Sequence, residues 1–558
     1  PAEGRQPFWA DDVGVIFNGE IYNTDELRRN LEARGHRFHT RCDTEVVLAA
    51  YREHREAAFG LFDGIFAIAV VDGPRRRVVL ARDEFGVKPL FVRSGGSELS
   101  FASEPKALRP LGALRDGPDL DQLERFLRYH YVPEPDSPWR NVRRVPRGSY
   151  EIYDRDDLSL VGTGRFQQPA ADLGDGDWLE KADEAIRLSV KRQLVSDRPL
   201  GVFLSGGIDS TLVSSYAAEL HPGLRAFGIG VAWAHDERRW MREATTRLDV
   251  DLTETELTEA DFDRLLGSLL DTYDEPFADS SAIPTMLVSE VAARDLRVVL
   301  SGDGGDELFG GYPRYESAWL AETLGVLPPA LIRAAGAASQ RAGRDPAQIL
   351  DRLVDESRAA GSGYAGQSSV ISQTAAAGLL GRTRATPTTT SPRAHRRPVL
   401  RRRAGYERAM QHDRDQYLPA DLLTKVDRAT MRVSLEARVP LLGAPVARLA
   451  DAMPVDVKVR GGVGKWPLKE LLLVRRGFST DFVHRPKTGF GFPLDDWLRR
   501  AIDRNPAHEE LLRTPPAPID RAAAAGALDQ LLAGGRNGET VWATLVLAGW
   551  LQRNGVPA

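Results

Sequence analysis

The segment Leu204-Ser205-Gly206-Gly207-Ile208-Asp209-Ser210 constrains the fold more than any other stretch of this chain. It follows the short apolar run Pro199 to Leu204 and opens a helical run beginning Thr211-Leu212-Val213. Two consecutive glycines let a backbone turn sharply and approach a ligand closely. The N–H groups of such a turn, the serine hydroxyls and the helix start together form an anion pocket. No Gly-Lys-Ser/Thr closes the segment, so it is not a Walker loop. Taken alone, it could be a plain β–α turn in which Asp209 and Ser210 only cap the helix. A second segment argues against that. Ser301-Gly302-Asp303-Gly304-Gly305-Asp306-Glu307-Leu308-Phe309-Gly310-Gly311-Tyr312 also follows an apolar strand, Arg297 to Leu300, and precedes a helix. Strands alternating with helices imply a doubly wound parallel sheet covered on both faces, with ligands beyond the carboxyl ends of its strands. Both loops then meet in one crevice. Carboxylates beside phosphates need a cation between them, so Asp209 and Asp306 are candidates for one or two Mg²⁺ ions bridging a triphosphate.

The rest of the chain frames that crevice. Its 558 residues imply at least two domains, and 74 basic against 79 acidic residues leave a net charge of −5. That balance argues against a protein built to coat nucleic acid. A single cysteine excludes a disulfide scaffold, and with no long apolar run or export leader a cytoplasmic enzyme with no membrane partner is expected. The first 154 residues read as alternating strands and short helices, including the apolar runs Ile65 to Val71 and Val78 to Ala81 around the turn Asp72-Gly73-Pro74-Arg75. Val13 to Phe17 reads as a strand without an obvious partner upstream, and residue 1 is Pro1 rather than Met, as in a fragment or a shortened chain. Residues 155–177, rich in Asp, Gly and Pro, are assigned as the linker between a domain over 1–154 and one over 178–558. Trp178 to Leu194 has the apolar face of an amphipathic helix, and Trp466 and Trp497 are core candidates. The stretch from Arg382 to Pro398 and the cluster Arg393, Arg396, Arg397, Arg401, Arg402 and Arg403 read as solvated loop and helix start, since no stacking platform accompanies them. His235 has no second histidine at ligand spacing.

Six motifs, in order along the chain, resemble the glutamine-dependent asparagine synthetases. They are Phe17 to Asn23, the Ser205 to Ser210 loop, Asp274 to Ser281, Ser301 to Tyr312, Lys425 to Arg428 with Ser434 to Pro440, and Arg485 to Gly491. The resemblance implies an Ntn-type αββα glutaminase-like domain, truncated here, followed by a synthetase domain with a PP-type phosphate loop and helical additions. It implies that aspartate is adenylated by ATP to β-aspartyl-AMP, which ammonia converts to asparagine, releasing AMP and pyrophosphate. By matching position, Leu204, Ile229 and Gly302 flank the nucleotide, Ser205, Gly206, Gly207 and Ser210 surround its pyrophosphate, Ser301 also belongs to the ATP site, and Asp209 and Asp306 hold Mg²⁺. Lys465 stands where pyrophosphate departs, with Lys487 a second candidate. Asp303 takes an acidic position tied to formation of the intermediate, where some relatives carry the longer Glu.

In the glutaminase domain of this family the mature first residue is a cysteine whose α-amine acts as base. Asn18 and Gly19 match the oxyanion hole, and Glu20 and Asp43 match residues holding the glutamine amine. That cysteine is not in the sequence, and Cys42 reads as a small buried side chain rather than a replacement. The chain as written is therefore expected to use ammonia but not to hydrolyse glutamine, whereas the complete protein is expected to take its ammonia from glutamine. A homodimer is compatible with this reading. The alternative is a specialised relative, resembling lasso-peptide cyclases or β-lactam synthetases, that adenylates another carboxylate; Gly443, where relatives often have Asp, leaves acceptor choice open. A nucleotide-sensing pseudoenzyme is disfavoured by the full set Ser205, Asp209, Asp303, Asp306 and Lys465.

Overall fold

The computed structural model describes residues 4–95, 98–166, 176–231, 238–316, 318, 364, 368–383, 402–485 and 491–555. His235, Lys487, most of the Arg382 to Pro398 stretch and Arg393, Arg396, Arg397 and Arg401 lie outside them.

The N-terminal part is built on a six-stranded antiparallel sheet. Its strands are β1 (Phe8–Ala10), β2 (Val13–Ile21), β3 (Gly64–Asp72), β4 (Arg77–Arg82), β8 (Ser149–Asp154) and β9 (Leu160–Arg165), in the order β1-β2-β3-β4-β8-β9. A three-stranded sheet of β5 (Phe91–Gly95), β6 (Glu98–Ala102) and β7 (Arg143–Arg144) lies beside it. Period-two alternation divides β3 between two cores. Phe66, Ile68 and Val70 pack on the helices Thr24–Glu32 and Asp43–His54, while Ala67 and Ala69 face Leu90, Val92 and Val145 of the second sheet.

Two sequence expectations need correction here. The strand at Val13 does have an upstream partner, since β1 pairs with it in the register Phe8↔Val15 across the Asp11-Asp12 turn. Nor are residues 155–177 all linker, because β9 pairs with β8 from Ser149↔Arg165 onward. Gly162 and Gly164 hid this strand, having no side chains to show alternation. The Tyr150 ring occupies the space where a Cβ of Gly164 would lie.

The C-terminal part holds a parallel five-stranded sheet of β10 (Leu200–Phe203), β11 (Arg225–Val231), β12 (Asp251–Leu257), β13 (Val298–Leu300) and β14 (Glu436–Arg438). Its order is β12-β11-β10-β13-β14. Val298 and Leu300 enter one core and Val299 the other, as expected of strands buried on both faces. The chain winds outward from β10 through β11 to β12, then returns to place β13 on the other side of β10. The topological switch point therefore falls between β10 and β13, where such sheets open a crevice. Among the core candidates, Trp497 is buried against Phe262 and Phe492, whereas Trp466 is half-buried under the Arg460 guanidinium.

Candidate active site

The two glycine-rich loops leave β10 and β13, the strands that flank the switch point, and so reach the same cleft. Gly302 shows how close they come, since a Cβ there would lie 2.6 Å from the Ser210 backbone nitrogen. Gly206 turns at φ +78°, a conformation glycine adopts without strain, beside the backbone of Met241. Within this turn the Gly207 N–H donates to Ser205 Oγ at 3.2 Å, the Ser205 N–H to Ser210 Oγ at 3.2 Å, and the two hydroxyls lie 3.0 Å apart. The helix Ile208–Leu220 then begins with its N-terminus at the cleft, which favours bound negative charge.

The cleft encloses about 400 Å³. Of the residues assigned from sequence to the nucleotide, Leu204, Ser205, Gly207, Asp209, Ser210, Ile229, Ser301 and Gly302 line it, together with Asp303, Asp306 and Lys465. Gly206 shapes the loop without lining the cavity. Lys465 Nζ is paired with Asp209 Oδ2 and lies 2.7 Å from Asp306 Oδ1. Burial alone would lower this ammonium, but Asp209 and then Asp306 outweigh it and hold the lysine above its usual range. The Ser301 hydroxyl donates to Asp303 Oδ2, and burial nevertheless raises the Asp303 carboxyl.

Three cationic cleft residues were missing from the site assigned by sequence. Arg485 donates to the Gly206 carbonyl and lies over the Trp240 ring at 4.7 Å, so it adds a cation beside the phosphate-type loop. Lys469 follows Lys465 by one helical turn. Lys425, from the helix Thr424–Met431, donates to Asp279 Oδ2 and to Ser281 Oγ, each at 2.8 Å. The signal was available for two of them, because Lys425 and Arg485 each open a motif that matched the family. Gly443 is absent from the cleft lining; Ser189 and Gln193 of the helix Trp178–Gln193 take the space of its Cβ, which explains a residue without one.

The residues assigned to glutamine form a separate group in the N-terminal part. Asn18 Nδ2 donates to Ser103 Oγ at 3.2 Å, and Gly19 turns at φ +143° with the Ile65 carbonyl where a side chain would stand. Burial pushes the Glu20 carboxyl up to about 7 despite Arg438 at 3.5 Å, and burial also raises Asp43. Cys42 Sγ lies 3.3 Å from Thr44 Oγ1.

Two glycine-rich loops at the switch point of a parallel sheet, joined to an antiparallel two-sheet unit, define a two-part α/β protein with a loop-lined cleft. Known families agree: the asparagine synthase model matches residues 181–552 and the glutamine amidotransferase domain model residues 1–166. The chain belongs to the asparagine synthase family, whose members are carbon–nitrogen ligases. It is similar to glutamine-hydrolysing asparagine synthetase 1 of Bacillus subtilis, with 31 % identity over 519 residues covering 90 % of this chain and 79 % of that one. It is 33 % identical over 526 residues to a putative glutamine-hydrolysing asparagine synthetase of Mycobacterium tuberculosis, covering 89 % of this chain and 78 % of that one. The amidotransferase match from residue 1 counts against treating this half as inert toward glutamine.

Proposed function

We propose that this protein forms asparagine from aspartate, ATP and ammonia, the ammonia coming from glutamine in the complete protein. The observation that carries the reading is Lys465 clasped by Asp209 and Asp306 where the two loops touch. An oxygen of the aspartate β-carboxylate attacks the α-phosphorus of ATP, a new P–O bond forms, and the bond to pyrophosphate breaks. Ammonia then attacks the acyl carbon, the C–N bond forms, AMP leaves, and one proton is released. Ser205, Gly206, Gly207 and Ser210 offer donors to the departing pyrophosphate, and Ser301 closes the other side. The fixed Lys465 charge, itself buried, stabilises what develops there. Leu204, Ile229 and Gly302 flank the nucleoside. Asp303 borders the reacting carboxylate.

The donor set also fits Mg²⁺. Asp209 and Asp306 present hard oxygen donors around one point, and among the described residues no three such side chains converge, so phosphates would complete the shell. When bound, Mg²⁺ would neutralise triphosphate charge. Asn18 and Gly19 serve the oxyanion of glutamine hydrolysis, and Glu20 and Asp43 its ammonium group. The amidotransferase unit is taken to end after β9 and the synthetase unit to begin near residue 178. No described helix is long and apolar enough to cross a membrane, and a cytoplasmic setting suits the substrates; assembly as a homodimer is compatible with this.

The relatives named above are asparagine synthetases, so a cyclase-type product is not favoured. The test is pyrophosphate release with ATP, Mg²⁺, aspartate and ammonium, with the product read by mass spectrometry. Asparagine is expected, and the absence of aspartate-dependent pyrophosphate overturns the reading. Glutamine in place of ammonium reports on the N-terminal half.

A further inference from the structure

Four cationic side chains line the cleft among the described residues, and they are not equivalent. Lys465 is clasped by the two loop carboxylates, Lys469 follows it by one turn, and Arg485 binds the carbonyl of Gly206. All three therefore belong to the phosphate side. Lys425 stands apart from them. It comes from a different helix and is held by Asp279 and Ser281, and Asp303 is close enough to act on its charge.

A buried ammonium with two fixed acceptors has used two of its three N–H donors. Lys425 is buried and lines the cleft. The clasp itself is satisfied, since the Ser281 hydroxyl and backbone N–H both donate to Asp279. Burial would raise the Asp279 carboxyl, but Lys425 draws it down to about 2, so the pair stays ionised over the working pH range. The segment just before Lys425, Leu418–Leu423, is a π-helix, a local widening often found at functional sites.

The acceptor of the proposed reaction carries a second, non-reacting carboxylate that must also leave water. A desolvated carboxylate requires a cation with a free donor. We propose that Lys425, clamped by Asp279 and Ser281, takes the α-carboxylate of the amino-acid substrate and thereby determines which carboxylic acids the enzyme adenylates. This inference rests on the asparagine-forming reading above.

The test compares aspartate with β-alanine, which is aspartate without its α-carboxylate, using ammonium as nitrogen source and the full chain. The wild type should prefer aspartate strongly. In K425M the ratio of kcat/KM values for aspartate over β-alanine should fall by about 10- to 100-fold, the usual weight of a hydrogen bond to a charged group. The KM for ATP should stay within about twofold, as expected when uniform binding of one substrate is lost. K425R should restore part of the preference. Removing the ammonium alone strands the Asp279 charge, so the neutral pair K425M/D279N is measured beside it, with circular dichroism confirming the fold. A folded variant that keeps the wild-type preference, or loses affinity for ATP instead, overturns the role of Lys425. A wild type that releases no pyrophosphate with aspartate overturns the parent reading, and this inference with it.

Discussion

Lys465 takes a left-handed backbone conformation, φ +56°, at the start of the helix Trp466–Glu470, an uncommon state for a side chain of its size. Such a conformation persists when the surroundings over-determine it, and here Asp209 and Asp306 do so. K465M should lower kcat for pyrophosphate release by about 10²–10³-fold, the typical effect of removing one preorganised stabilising group, as steady-state assays would show. At Gly302 the constraint is steric. The added methyl group of G302A meets backbone, which cannot move aside like a side chain, so ATP binding measured by calorimetry should be abolished while the sheet survives. Glu307 makes a different point. It is fully buried, its Oε1 accepts from the Tyr312 hydroxyl at 2.7 Å, and burial together with Asp306 pushes its carboxyl up to about 8. A folded value above the ordinary 4.5 means that the folded state holds the proton more tightly. The resulting stability is full below the ordinary value and is lost as pH rises through about 8. Melting temperatures of E307Q and wild type should therefore diverge as pH rises from 4.5 to about 8, with the variant the more stable at the alkaline end.

Among the elements, the helix Thr424–Met431 reaches both parts of the chain. Lys425 and Val426 line the cleft from it, Asp427 accepts from Lys88 at 2.8 Å, and Arg428 reaches Glu104 and the Ser103 carbonyl. Because Ser103 also accepts from Asn18, one helix touches partners of both candidate sites. Its sequence matched the family, but nothing in its periodicity distinguishes a solvated lysine from a buried one. The helix Glu259–Tyr273 is more legible. Thr258 and Asp261 form a capping box at its start, and the exposed Gly267 has open space around its Cβ position. T258A should cost about 1 kcal/mol, and G267A should add about 0.5–1 kcal/mol. Denaturant melts followed by circular dichroism would check both.

At the scale of the whole molecule, buried and half-buried ion pairs join the two parts. Lys88 pairs with Asp427 at 2.8 Å, Arg144 with Glu275 at 2.6 Å, and Arg192 with Asp63 at 2.6 Å. Breaking such a pair leaves one charge without compensation, so K88M should cost about 3–5 kcal/mol, and K88M/D427L should recover most of that. A denaturant melt observed separately in each part should show one shared transition for the wild type and earlier loss of the N-terminal part in K88M.

The sequence by itself determined the cradle. Strand, paired glycines, hydroxyls and helix are contiguous, and their backbone geometry is set by near neighbours, so Ser205 to Ser210 and Ser301 to Asp306 could be placed before any fold was known. It also determined a parallel sheet, because apolar runs alternating with helices have few other ways to bury both faces. Only the tertiary structure decided what surrounds that cradle. Lys425 and Asp279 are separated by 146 residues, and Arg485 and Gly206 by 279. A lysine or arginine becomes part of a site only when the fold removes water from it and supplies its carboxylate or carbonyl, and those partners, Asp279 and Gly206, stand in loops that chain order does not bring near it.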